Sequence, residues 1–190
     1  MSKMSKAIAV LGVVAGLGVA ALPLSSYAVS DTANTTAQAI VGDSIAVTVA
    51  DATVTMNNVM ANQDVNEAST NVTVQTNNAT GYMVQIKDAD TELALKTTDG
   101  SGTADGIAAG VPAKGTNAWG FKASTASTNV DASASDSYRA IKTGNQMIAE
   151  SDKASANAGD VISLTFGVTV DTTIAAGTYQ DEVVLTATTK

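Results

Sequence analysis

The sequence contains no cysteine and no histidine, and only 4% of its 190 residues are aromatic. Without Cys and His the commonest zinc ligands are missing, and neither a Cys-His nor a Ser-His-Asp catalytic set can be assembled from this chain. A small fold stapled by disulfides is excluded for the same reason. Positive charge is scarce as well: 10 Lys and Arg stand against 18 Asp and Glu, giving a net charge of −8. That balance opposes a nucleic-acid partner, whose affinity rests on basic groups releasing counterions from phosphates. A protein that binds, displays or builds is left as the favoured class.

The one long uncharged run is at the start. Residues 1–28 carry Lys3 and Lys6, then an uncharged stretch over 7–24, then Ser25-Ser26-Tyr27-Ala28. This is the layout of a secretory signal peptide, with Ser26 and Ala28 at the small-residue cleavage positions. A retained membrane helix is the alternative, but Gly12, Gly16, Gly18 and Pro23 favour cleavage. Cleavage after Ala28 takes 28 of the 190 residues and leaves 162; losing Lys3 and Lys6 moves the net charge from −8 to −10. No LPxTG-like sorting signal stands near Lys190, and the absent Cys excludes a lipid-modified N-terminus. The expected location is secreted, extracellular or cell-surface associated, with no membrane contact after cleavage.

Beyond residue 28 the dominant pattern is period-two alternation, which sends one set of side chains to a core and the other to solvent. In 161–170, Ile162, Leu164, Phe166, Val168 and Val170 share a face; in 178–188, Tyr179, Val183, Leu185 and Ala187 do. These two strands are expected to pair antiparallel or to cross between sheets. The segments 70–76 and 81–87 alternate in the same way around Val72, Val74, Tyr82, Val84 and Ile86, and the turn-forming Asn77-Asn78-Ala79-Thr80-Gly81 suggests a hairpin. Ile45, Val47 and Val49 mark a strand over 44–50, with a shorter one expected around 54–56. Weaker strand signals lie at 93–96, 118–123, 138–142 and 146–149.

Two stretches, 97–117 and 124–137, are dominated by Gly, Ala, Ser, Thr, Asp and Asn. Such a composition reads as long surface loops. No apolar period of 3.6 is sustained anywhere in the mature region, so helices are minor. The expectation is an all-β protein, an antiparallel β-sandwich or jelly-roll-like domain over 43–190, preceded by an N-terminal arm over 29–42.

The closing segment Ala175-Ala176-Gly177-Thr178-Tyr179-Gln180-Asp181-Glu182-Val183-Val184-Leu185-Thr186-Ala187-Thr188 resembles the end of WxL-type bacterial cell-surface domains. There an A-G-T-Y turn leads into a last strand bearing Trp-x-Leu. Asn78-Ala79-Thr80-Gly81-Tyr82-Met83-Val84-Gln85-Ile86 is similar to that family's earlier glycine-aromatic strand. This chain departs from the pattern with Tyr82 after Gly81 and Val184 in place of the last-strand Trp, while its single Trp lies in Trp119-Gly120-Phe121. The resemblance implies a β architecture, an extracellular setting and attachment to peptidoglycan.

Candidate contact residues are few. Trp119 and Phe121 alternate on one strand, with Tyr138 nearby in sequence, and exposed aromatics of this kind stack on sugars or anchor partners. The competing reading makes Trp119 a core plug, since a chain so poor in aromatics needs its large side chains inside. Asp88, Asp90, Glu92, Asp99 and Asp105 are the candidate calcium ligands, although they lack EF-hand spacing and read equally as solvated loop charge. No other cofactor is indicated.

Catalytic residues are not assigned: there is no G-x-S-x-G elbow and no P-loop, and Asp181 and Glu182 point to opposite sides of a strand. The expected function is noncovalent binding, adhesion or display at the bacterial envelope, through a cell-envelope polymer or a surface protein, with residues 97–137 as the contact region. Self-association is the alternative: a fibre or surface-layer subunit whose arm 29–42 completes a neighbour's sheet. A secreted enzyme is the least favoured reading.

Overall fold

The computed structural model describes residues 35–98, 106–132 and 137–190. Residues 1–34, and with them the signal segment and the start of the arm, lie outside the described residues, as do Asp99 and Asp105. Among the described residues there is no helix, and the strands pair almost wholly antiparallel. The described residues form eleven strands: β1 (Ile45–Val49), β2 (Asn66–Thr76), β3 (Tyr82–Asp88), β4 (Lys96–Thr97), β5 (Ala108–Ala109), β6 (Ala118–Thr125), β7 (Asp131–Ala132), β8 (Gln146–Ser151), β9 (Asp160–Thr169), β10 (Tyr179–Gln180) and β11 (Val183–Thr189). They belong to one compact unit, Val41–Lys190. Residues 35–40 are exposed and have no regular structure.

One sheet has the order β1-β2-β9-β6-β5, a second β11-β3-β8-β7, and β10 pairs with β4 in a two-stranded ribbon. Both larger sheets are curled. The expected alternation positions them. Ile162, Leu164, Phe166 and Val168 of β9 turn inward beside Val72 and Val74 of β2 and Trp119, Phe121 and Ala123 of β6. Tyr82, Val84 and Ile86 of β3 and Ile148 of β8 complete the same apolar cluster from the second sheet. With no disulfide, and no helix among the described residues, burial of these side chains at roughly 25 cal/mol per Å² is the main term opposing chain entropy.

The edge strands are less well covered. Inward residues of β1 (Ile45, Val47) and β11 (Val183, Leu185, Ala187) are only half-buried, and β1 runs near β11 without pairing with it.

Several expectations are corrected. The segments 70–76 and 81–87 do not form a hairpin, because β2 and β3 belong to different sheets. The connection 77–81 carries the chain across instead: Asn78 is buried, accepts from Thr80 N at 2.8 Å and reaches Lys190 O at 3.3 Å, and Gly81 takes φ 93°. A left-handed φ of this kind suits glycine. No strand forms at 54–56, although Val54 and Met56 pack on the core. At 138–142 there is only a single bridge, between Phe121 and Arg139. The two stretches read as surface loops each send one aliphatic inward, Ile107 and Val130, and each contributes a two-residue strand. The last two long strands cross between sheets, β9 in one and β11 in the other.

Candidate functional site

The outward face of the five-stranded sheet is set by the same alternation that builds the core. Its rows follow from the register. Thr48, Thr73 and Val161 are neighbours in one row, and Asn71, Ser163 and Ser124 in the next. Ser69, Thr165 and Lys122 form the third, and Glu67, Gly167 and Gly120 the fourth. Neighbours in a row lie about 4.8 Å apart and successive rows about 6.7 Å apart along the strands. The first two rows carry hydroxyls and a carboxamide around Val161, which is 41% exposed, and no charge. A shallow groove lined by Asn71, Ser124, Thr125, Ser127, Val161 and Ser163 runs along this part of the face.

The other end of the face closes on itself. Tyr138 lies over Gly167, where an added Cβ would come within 2.5 Å of its ring. Lys122 Nζ sits 4.7 Å from the centre of the same ring and 2.9 Å from Glu67 Oε1, and Ser69 and Thr165 share a hydrogen bond of 2.8 Å. The Lys122 ammonium beside Glu67 holds that carboxyl below its ordinary value. The Tyr138 hydroxyl is buried against Glu67 but makes no hydrogen bond of good geometry, and burial followed by the Glu67 carboxylate pushes its ionisation well above the usual phenol range. This group is a closed clamp, and it leaves the uncharged rows as the open part of the face.

The sequence-derived candidates are dispersed. Trp119 is 2% exposed and Phe121 is fully buried, so neither offers a face to a partner. The Trp119 indole N–H donates to Leu93 O at 2.9 Å, and its ring is tilted against Phe166, with centroids 6.5 Å apart. In so aromatic-poor a chain the core takes them. Tyr138 is half-buried and sits on the opposite side of the sheet from both. Asp88, Asp90 and Glu92 do not converge on a common point. Asp88 is buried and accepts from Asp90 N at 2.8 Å, while the exposed Asp90 accepts from Glu92 N at 2.6 Å. Glu92 pairs with Lys96 at 3.6 Å. Among the described residues no group of three or more acidic side chains could hold a metal ion. Sequence reasoning missed the polar face because it tracked large side chains, whereas the signal lay in the small polar partners at alternate positions 69, 71, 73 and 163, 165.

No family model matches the sequence, and no similar curated protein is found.

Proposed function

We propose that the protein is a secreted, non-catalytic cell-surface domain that binds a polar envelope polymer through the outward face of its five-stranded sheet. The observation that carries this reading is the pair of uncharged rows Thr48–Thr73–Val161 and Asn71–Ser163–Ser124, open to solvent on a chain whose net charge is −8. Hydroxyls and carboxamides at strand spacing both donate and accept, so they suit a partner rich in hydroxyl and amide groups, such as a glycan. Val161 supplies an apolar spot for a sugar's C–H face. The binding makes and breaks no covalent bond, and it needs no cofactor.

The accompanying fold reading is a β-sandwich or jelly-roll-like domain, supported by inward faces of both sheets sharing one apolar cluster. The similarity to WxL-type surface domains points the same way. The test is retention of the purified protein on isolated cell-wall polymer. Asn71→Ala combined with Ser163→Ala and Ser124→Ala should lower retention several-fold at unchanged thermal stability. Retention of the parent protein no higher than that of a control acidic protein removes the reading.

A second reading, self-assembly through the arm, draws support from Ile40 and Val41, which are 90% and 81% exposed in an unpaired stretch. Uncovered aliphatics in an unpaired stretch suit strand addition to a neighbour. Filaments that vanish on deleting residues 29–42 favour it, whereas a monodisperse monomer under electron microscopy and size exclusion opposes it.

A further inference from the structure

The joint between β10 and β11 holds two carboxyl groups that no basic side chain neutralises. Asp88 ends β3, where it stands opposite Val183 at the start of β11, and it is 1% exposed. Its main chain is fixed by Asp88 N donating to Lys142 O at 2.9 Å and by Ala89 N donating to Glu182 O at 3.0 Å. Asp181 occupies the link itself, between the strand that pairs with β4 and the strand that pairs with β3. Each carboxyl has one oxygen satisfied: Asp88 Oδ1 by Asp90 N, and Asp181 Oδ1 by Glu182 N at 2.8 Å. Each has its second oxygen, Oδ2, buried and without a donor.

Buried acceptors without donors are costly, and the half-buried Asp181 feels the charge of the Asp88 carboxyl, so the two cannot both ionise cheaply. A single proton resolves both difficulties, because it turns two facing acceptors into a hydrogen bond. We propose that Asp88 and Asp181 share a proton and form an acid-tightened latch that fastens the start of β11 to the end of β3. The other charged residues on the surrounding elements are Lys87, Asp90, Glu92, Lys96, Lys142 and Glu182. Of their side-chain charges only that of Asp90 acts on Asp181, and it acts in the same sense as Asp88. Burial first, and then the charge and hydrogen bond of Asp88, push Asp181 up to about 7, against the opposing pull of the Glu182 N–H.

A carboxyl raised on folding stabilises the folded chain below its unfolded value, and that stability is lost as pH rises towards the folded one. The latch is therefore closed in mild acid and opens through neutrality. Once open, two adjacent negative charges press the β10–β11 link away from Asp88, and the Ala89–Glu182 bond loosens with it.

The test compares the full chain with Asp181→Asn, whose carboxamide donates to Asp88 at every pH. Hydrogen exchange at the Ala89 amide should be equal in the two proteins at pH 5. At pH 8, about one unit above the titration, it should be about tenfold faster in the parent chain. Carboxyl carbon NMR of the parent should show a coupled titration near neutrality that disappears in Asp181→Asn. Carboxyl titrations all below pH 5, or identical exchange profiles for the two proteins, overturn the latch. So does slowing of exchange at pH 8 by millimolar calcium in the parent alone, since that outcome makes the pair a cation site.

Discussion

Replacing Tyr82 with Phe removes one atom from a bond that ties the two sheets together. Tyr82 is fully buried on β3, and its hydroxyl donates to Asp160 Oδ2 at 2.8 Å, at the start of β9. Asp160 is itself buried, and its other oxygen receives only a long contact from Ala156 N at 3.5 Å. Tyr82→Phe keeps the ring and its packing but leaves a buried carboxylate oxygen without its donor. A hydrogen bond to a charged group is worth about 1.5–3 kcal/mol, and the stranded acceptor places this case at the upper end, about 3 kcal/mol. For a unit of this size, each kcal/mol lowers Tm by about 2–4 °C, so the drop should be roughly 6–12 °C.

Urea denaturation followed by far-UV circular dichroism measures the loss, with the slope expected to stay constant. Asp160→Asn made in the Tyr82→Phe background should cost much less than the same change made alone, because the two groups are coupled. The same bond has an alkaline signature. Burial, followed by the hydrogen bond and charge of Asp160, raises the Tyr82 ionisation above the ordinary phenol value. The unfolded chain thus ionises at about pH 10 while the folded one does not, and stability falls as pH rises beyond that point. Tyr82→Phe keeps only the part of that decline that Tyr138 contributes. A cost below about 0.5 kcal/mol at neutral pH, where surface substitutions lie, would refute the inter-sheet bond as a stabilising contact.

Gly120→Ala should be among the most damaging single-methyl additions, since its Cβ would press on the carbonyl oxygens of Arg139 and Gly110, both backbone atoms. We expect a loss of about 2 kcal/mol or more by urea denaturation, in the range of core overpacking, and a change within 0.5 kcal/mol would place the strands differently. Trp119 should emit as a buried indole and resist quenching by acrylamide; emission typical of a wet indole would contradict its place in the core. Lys122→Ala frees Glu67 from the ammonium that lowers it, so the Glu67 carboxyl should titrate at higher pH by NMR; an unmoved titration would remove the Lys122–Glu67 pair from the clamp.

Much of the fold was legible because alternation is a local signal. In β9 the inward positions 162, 164, 166 and 168 can be read straight from the side chains, and each of those residues is buried. Which strands become neighbours was less legible. The residues 77–81 carry ordinary turn chemistry, and nothing in Asn77-Asn78-Ala79-Thr80-Gly81 announces that Asn78 bonds to Lys190, 112 positions away, and sends β3 into the other sheet. Short strands were lost for another reason: Ile107 and Val130 are single aliphatics in small polar surroundings, and one buried side chain gives no period. The second half of β9 is buried on its outer face too, because Tyr138 folds over Gly167. A lone tyrosine in a serine-rich stretch does not reveal that contact. The Asp88–Asp181 pair was illegible in the same way, since its members lie 93 positions apart and meet only through β-strand register.

Binding of an envelope polymer by the uncharged rows of the five-stranded sheet is open to direct observation. Titration of soluble cell-wall glycan into the nitrogen-labelled protein, followed by amide chemical shifts, tests it most directly. Shifts should cluster at Thr73, Asn71, Val161, Ser163 and Ser124, with the opposite sheet around Met83 and Thr186 unchanged. Saturating glycan that moves none of these amides, or moves those of β3 and β11 instead, contradicts it.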